Sequence, residues 1–147
     1  MNTADLARFP ILAELTPAEM EKIVAISEPV SCADGQVIFR EGDPSSHLYL
    51  VASGRVSLRM SLPNQKILSI ATLEAGEELG WSAVRRRKPY TATAVAIGSV
   101  EAARIPSDKL LKLFEADPRI GYVVCRGLLG IVAERLSEAR LRIANLE

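Results

Sequence analysis

The chain has 147 residues and a mass of 16.0 kDa, the size of one domain, and 48% hydrophobic with 24% charged residues is an ordinary folded composition, not a disordered one. Eighteen basic residues balance eighteen acidic ones, so the basic excess of a dedicated nucleic-acid binder is absent. No apolar run approaches the ~18 residues of a membrane span, and MNTADLARFP lacks the charged-then-apolar order of a signal peptide, so the expected location is cytoplasmic. Two distant cysteines, Cys32 and Cys125, and one histidine, His47, offer no metal-binding spacing, and no P-loop, GxGxxG, HExxH or GxSxG pattern occurs. No catalytic residue, metal or cofactor is therefore assigned, and the chain is expected not to be an enzyme.

The first clear element is a helix over residues 17–27. Thr16 is placed to cap it, Glu19 completes a capping box, Pro17 takes the first helical position, and Leu15 with Met20 has the spacing of a hydrophobic staple. From about residue 30 to 106, short apolar runs alternate with turn residues, the pattern of a compact all-β unit. Ala33-Asp34-Gly35 and Gly42-Asp43-Pro44-Ser45-Ser46 read as turns. Residues 55–62 alternate: Val56, Leu58, Met60 and Leu62 on one face, Arg55, Ser57, Arg59 and Ser61 on the other, a half-buried strand. Gly54 precedes it where a bend or bulge needs glycine. Pro63-Asn64-Gln65 turns the chain, and residues 67–73 return as the partner strand. Residues 90–96 and 100–105 are expected to form a hairpin around Ile97-Gly98-Ser99. Cys32 is expected in or near a strand, and His47 to face solvent from a polar turn. Helices resume at about 107–145: Ser107 caps the first, Asp117-Pro118 ends it, and Pro118 opens a long second helix reaching about Asn145. Residues 1–147 thus form a single domain.

The stretch GQVIFREGDPSSHLYLVASGRVSL places Gly35, Ile38, Gly42, Asp43, Leu48, Tyr49, Gly54 and Val56 in a pattern that resembles the cyclic nucleotide-binding domain family, which includes the bacterial catabolite activator and the regulatory subunits of cyclic-AMP-dependent kinase. Leu15-Thr16-Pro17, Leu73-x-x-Gly76-Glu77 and Ala92-Thr93-Ala94-Val95-Ala96 extend the likeness over roughly residues 9–135. The resemblance implies a mainly β fold: a double-stranded β-helix (jelly-roll) barrel with an N-terminal helix and a long C-terminal helix. In that family a short helix after a Gly-Glu pair turns its amides toward the cyclic phosphate. The Glu accepts from the ribose hydroxyl, and an Arg about nine residues on pairs with the phosphate.

Aligned on Gly80 and on Pro89–Thr93, Trp81 stands in place of the Glu and Tyr90 in place of the Arg. An indole cannot accept from a hydroxyl, and a phenol carries no positive charge at neutral pH. Losing two hydrogen bonds to charged groups costs roughly a hundredfold to ten-thousandfold in affinity, so cyclic AMP and cyclic GMP are disfavoured. The remaining ligand candidates are Gly80, Trp81, Ser82, Ala83, Tyr90, Thr91 and Ala92. Glu77 or Glu78 replaces the missing carboxylate only if the register slips. Arg85, Arg86, Arg87 and Lys88 are candidate anion contacts, or else a solvated loop. The pocket either holds a different small molecule or is filled by Trp81. Tyr49 is expected in the core.

In the last helix, Tyr122, Cys125, Leu129, Val132, Leu136, Ala139, Ile143 and Leu146 follow alternating steps of three and four, a heptad seam. A second row, Ile120, Val124, Leu128 and Ile131, stops near residue 131 and is expected to pack on the barrel. Beyond it, Glu134, Arg135, Glu138, Arg140 and Arg142 flank the seam. The expected partner is a second copy of the chain, pairing as in the resembling transcription factors; otherwise the tail folds back on its own barrel. In those factors a DNA-binding domain follows the long helix. This sequence ends at Glu147, so neither such a domain nor a nucleic-acid partner is expected, and no membrane partner is. The function expected is a non-catalytic regulatory or sensor module that binds a small ligand or a protein and signals through its last helix. The alternative is a dimeric scaffold that has lost ligand binding.

Overall fold

The computed structural model describes residues 2–86 and 88–146; Arg87, one of the four candidate anion contacts, lies outside them. The order is α1 (Thr3–Leu6), a 3-10 turn at Pro10–Leu12, α2 (Pro17–Ile26), β1 (Glu28–Cys32), β2 (Val37–Phe39), β3 (His47–Ser61), β4 (Ile67–Leu73), β5 (Glu78–Leu79), a 3-10 turn at Trp81–Val84, β6 (Thr93–Pro106), α3 (Ser107–Ala116) and α4 (Pro118–Asn145). Among the described residues no helix is long and apolar enough to cross a membrane.

Two long strands build the jelly roll. β3 and β6 run antiparallel from the pair His47–Pro106 to the pair Arg59–Thr93. β1 and β2 add to the outer edge of β6, and β4 and β5 to that of β3. The expected hairpin at Ile97-Gly98-Ser99 is not formed, because β6 continues through it. The register steps from Ser53–Glu101 to Arg55–Ile97, so Gly54 alone faces three residues of β6. The extra residues are absorbed as a bulge, which bends the ladder. Gly54 has φ +89°, and a Cβ there would lie 2.3 Å from the Ser99 carbonyl oxygen, so only glycine fits.

The sheet is buried on both faces at residues 48–51, and the period of two sorts the run between two cores. Tyr49 and Val51 face the barrel interior with Phe39, Val56, Leu58, Leu79 and Tyr90. Leu48 and Leu50 face a second core with Leu12, Ile23, Leu110, Ile120, Val124 and Leu128 from the flanking helices. The α2 capping box forms as expected: Glu19 N donates to Thr16 Oγ1 at 3.2 Å and Thr16 N to Glu19 Oε1 at 2.8 Å. Ser107 does not cap α3. It is the first helical residue, and its hydroxyl donates to the Ala83 carbonyl. His47 is not in a solvent-facing turn either; it opens β3 half-buried.

Along α4, Ile120, Val124 and Leu128 are buried and Ile131 is partly buried against the helix-side core. The seam faces away from the barrel. Tyr122, Cys125, Leu129, Leu136, Ala139, Ile143 and Leu146 are exposed and Val132 is half-buried.

Candidate functional site

The segment between β5 and β6 is clamped at both ends by main-chain geometry. Gly80 takes the left-handed conformation at φ +81°, and a Cβ on it would come within 2.9 Å of the His47 carbonyl oxygen and 3.2 Å of Tyr90 Cε1. The 3-10 turn follows at once, with Ala83 N donating to Gly80 O and Arg85 N to Ser82 O, each at 2.9 Å. Ser82 and Ala83 are buried. The 42–46 turn then zips onto residues 88–90. Gly42 N donates to Tyr90 O and Tyr90 N to Asp43 O, both at 2.9 Å. Ser45 is buried, and its hydroxyl reaches the carbonyls of Ser82, at 3.1 Å, and Lys88.

Tyr90 occupies the barrel. Its ring is 3% exposed and stacks on Phe39 with centroids 3.8 Å apart and planes 14° apart. Its hydroxyl donates to His47 O at 2.7 Å and accepts from His47 N at 2.9 Å. Burial pushes the phenol above the usual tyrosine range, so it stays neutral and contributes no charge toward a phosphate. Burial, then the Arg104 guanidinium, holds His47 below the usual histidine range.

Trp81 does not enter the barrel. Its half-buried indole packs against the helix-side core, with the Arg85 guanidinium 5.7 Å above the ring centroid, a cation–π arrangement. Tyr90 lies inside the barrel, while Trp81 lines the small cavity that remains. That cavity, beside Gly80, Trp81, Ser82, Tyr90, Thr91 and Ala92, measures about 20 Å³, room for about one water molecule. Thr91 is exposed and Ala92 buried.

Several of the other described candidates meet neighbours. Arg86 Nη2 lies 2.7 Å from Glu115 Oε1 on α3. Arg85 lies on Trp81, and Lys88 is exposed with its carbonyl taken by Ser45. Glu77 caps the 74–77 turn by accepting from Glu74 N at 2.7 Å. Glu78 is 2% exposed and meets Arg135 of α4 at 3.3 Å. Neither carboxylate lines the small cavity. Arg135 does, together with Phe39 and Leu58, and sequence reasoning did not assign these three to the site. For Arg135 a signal existed: it follows Ile131 on the barrel-facing row. Two larger, open grooves are present. One of about 430 Å³ lies beside Phe9, Val51 and Ala102; the other, of about 470 Å³, lies between β4 and α4, is lined by Glu77 and Glu78 among others, and shares Arg135 with the small cavity.

Comparison with known proteins agrees with this architecture. The family model described as "Cyclic nucleotide-binding domain" matches residues 29–117. The CRP-like cAMP-activated global transcriptional regulator of Mycobacterium tuberculosis is 26% identical over 96% of this chain and 61% of its own length. The crystal structure of the Thermus thermophilus catabolite activator protein superposes with a TM-score of 0.77 at 29% identity, covering 93% of this chain and 62% of that one. A cyclic nucleotide-binding domain from Methylobacillus flagellatus superposes with a TM-score of 0.85 at 24% identity over 100% of this chain and 88% of that one, a likeness of fold. The chain spans 34% and 61% of the length of two curated relatives it matches.

Proposed function

This chain belongs to the cyclic nucleotide-binding domain family, a family of regulatory and sensor modules, and from that premise we propose that it is a non-catalytic member whose nucleotide pocket is closed by its own side chains and whose working surface is α4. The observation that carries this reading is the ~20 Å³ left in the pocket, where a ligand of nucleotide size needs roughly 300 Å³ or more. Tyr90 replaces a cation with a neutral, doubly hydrogen-bonded ring, and Trp81 presents no acceptor. Cyclic AMP and cyclic GMP are therefore not ligands in the family's usual mode.

With the pocket closed, the seam on α4 becomes the surface through which the module acts. Tyr122, Leu129 and Ile143 are each more than 60% exposed, on a helix whose barrel-facing row lies about a third of a turn away. A second copy of the chain buries such a seam symmetrically without another partner. One observation favours a small-ligand reading instead: the ~430 Å³ groove beside Phe9 is large enough for a metabolite.

Trp81 is the sole tryptophan, so its emission reports on the site directly. Adding cyclic AMP or cyclic GMP up to about 1 mM is expected to leave that emission unchanged. A saturable change at low-micromolar nucleotide overturns the reading.

A further inference from the structure

The first residues of the chain wall a groove that is separate from the nucleotide pocket. Leu6 and Phe9 are buried in the helix-side core and anchor this segment. Asp5 and Arg8, also three apart, line the groove instead. Opposite them the β3–β6 ladder skips a residue: Val51 faces Ala102 and Ser53 faces Glu101, which leaves Ala52 without a partner on β6. The 74–77 turn is pinned beside this step, with Gly76 N donating to Val51 O and Val51 N to Glu77 O, each at 2.9 Å. The space enclosed is about 430 Å³, and Pro29, Ala52, Ala75 and Ala102 give it apolar surface. Three charged side chains line it, and two of them are engaged. Asp5 Oδ2 accepts from Asn2 N at 2.9 Å, and Glu101 Oε2 accepts from Ser31 Oγ at 2.6 Å. Arg8 is exposed, and among the described residues it joins no ion pair.

We propose that this groove binds a small organic monocarboxylate with an apolar body, its carboxylate on Arg8 and its body against Pro29, Ala52 and Ala102. The volume is that of a small-molecule site. The charge of the ligand follows from the group left without a partner: a guanidinium presents a fork of donors that matches a carboxylate. The number of charges follows from the other two side chains. Asp5 and Glu101 repel any second negative charge brought between them, so a monoanion is favoured over a phosphate or a dicarboxylate. The walls are held by buried side chains and main-chain hydrogen bonds, so binding orders no loop. The proposal rests on the small-ligand reading of this groove. It does not depend on the closed nucleotide pocket, with which the groove shares no lining residue.

The test is titration of the isotope-labelled full chain with phenylbutyrate, followed by amide chemical shifts. Amides of residues 8–9, 51–52, 75–76 and 101–102 are expected to shift together and to saturate, with half-saturation at about 0.1–1 mM, as suits a ligand of this size. Phenylbutanol, the same body without the charge, and phenylsuccinate, with a second carboxylate, are each expected to bind at least about threefold more weakly. Arg8→Gln, a change at an exposed residue, is expected to weaken phenylbutyrate by the same factor and to leave phenylbutanol unchanged. The proposal is overturned if no saturable shift occurs at these amides up to about 10 mM, if the alcohol or the dicarboxylate binds as well as the monocarboxylate, or if Arg8→Gln binds phenylbutyrate as the native chain does. Shifts confined to α4 overturn it as well, since they place the ligand on the exposed seam. Shifts confined to residues 80–92 overturn it and contradict the closed pocket too, whereas silence throughout leaves that closure standing.

Discussion

Replacing Tyr90 by Phe isolates what the hydroxyl does, since the ring remains stacked 3.8 Å from Phe39. Two groups lose a partner: the His47 amide, which donates to the hydroxyl at 2.9 Å, and the His47 carbonyl, which accepts from it at 2.7 Å. The amide is the costly one. In the β3–β6 ladder His47 faces Pro106, and leaving a buried donor unsatisfied costs about 1–3 kcal/mol. Both contacts are part-buried, so some water reaches them, and a total of about 2 kcal/mol is expected. For a chain of this length each kcal/mol moves Tm by about 2–4 °C, which places the fall at roughly 4–8 °C. Urea unfolding followed by Trp81 emission and by far-ultraviolet circular dichroism should show a lower midpoint with unchanged m. Tyr90→Ala removes the ring as well and is expected to cost about 3–5 kcal/mol. If Tyr90→Phe is as stable as the native chain, the hydroxyl does not pin the segment to β3, and the closure of the pocket has been assigned to the wrong contact.

Gly54→Ala puts a Cβ 2.3 Å from the Ser99 oxygen at φ +89° and is expected to destabilise by about 3 kcal/mol, read as the urea midpoint; a change below about 0.5 kcal/mol contradicts the bulge geometry. Sedimentation equilibrium should report about twice the 16.0 kDa chain mass at micromolar concentration, and Leu136→Glu with Ile143→Glu should halve it while leaving the barrel folded; a monomeric native chain refutes pairing along α4. Burial pushes the Glu78 carboxyl above the usual carboxylate range, against the pull of Arg135 and with the repulsion of Glu77 and Glu134. The folded chain therefore holds this proton more tightly than the unfolded chain, and the stability Glu78 contributes is present at low pH and lost as pH rises through the raised value. Glu78→Gln is accordingly expected to gain stability relative to the native chain as pH rises above the ordinary glutamate value of about 4.3; a difference in midpoint that is flat or runs the other way contradicts that sign.

Local chemistry was legible wherever one element decides the outcome. Thr16 and Glu19 cap α2, Pro63-Asn64-Gln65 turns the chain into β4, and the long helix ends at Asn145. The Asn2 and Asp5 capping box of α1 was also present in the residues, but one turn of helix has no periodicity to read. Ile97-Gly98-Ser99 has the composition of a hairpin turn; only the partner strand, with Gly54 opposite, makes it a bulge. The candidate site divides in the same way. The missing Glu and Arg could be read directly at Trp81 and Tyr90. Which aromatic ring enters the barrel could not, because the left-handed Gly80 and the 3-10 turn after it set the indole against the helix-side core. Arg135 escaped because a charged residue flanking a heptad seam reads as solvated until a buried carboxylate is found opposite it.

The closed pocket is tested most directly by calorimetric titration of the native chain with cyclic AMP and with cyclic GMP, alongside the variant Trp81→Glu with Tyr90→Arg. The native chain is expected to give no saturable heat up to about 1 mM nucleotide. The double variant, with its carboxylate and guanidinium restored and the Tyr90 ring gone, is expected to gain measurable binding. Low-micromolar or tighter binding of either nucleotide by the native chain would contradict the closure of the site by Tyr90.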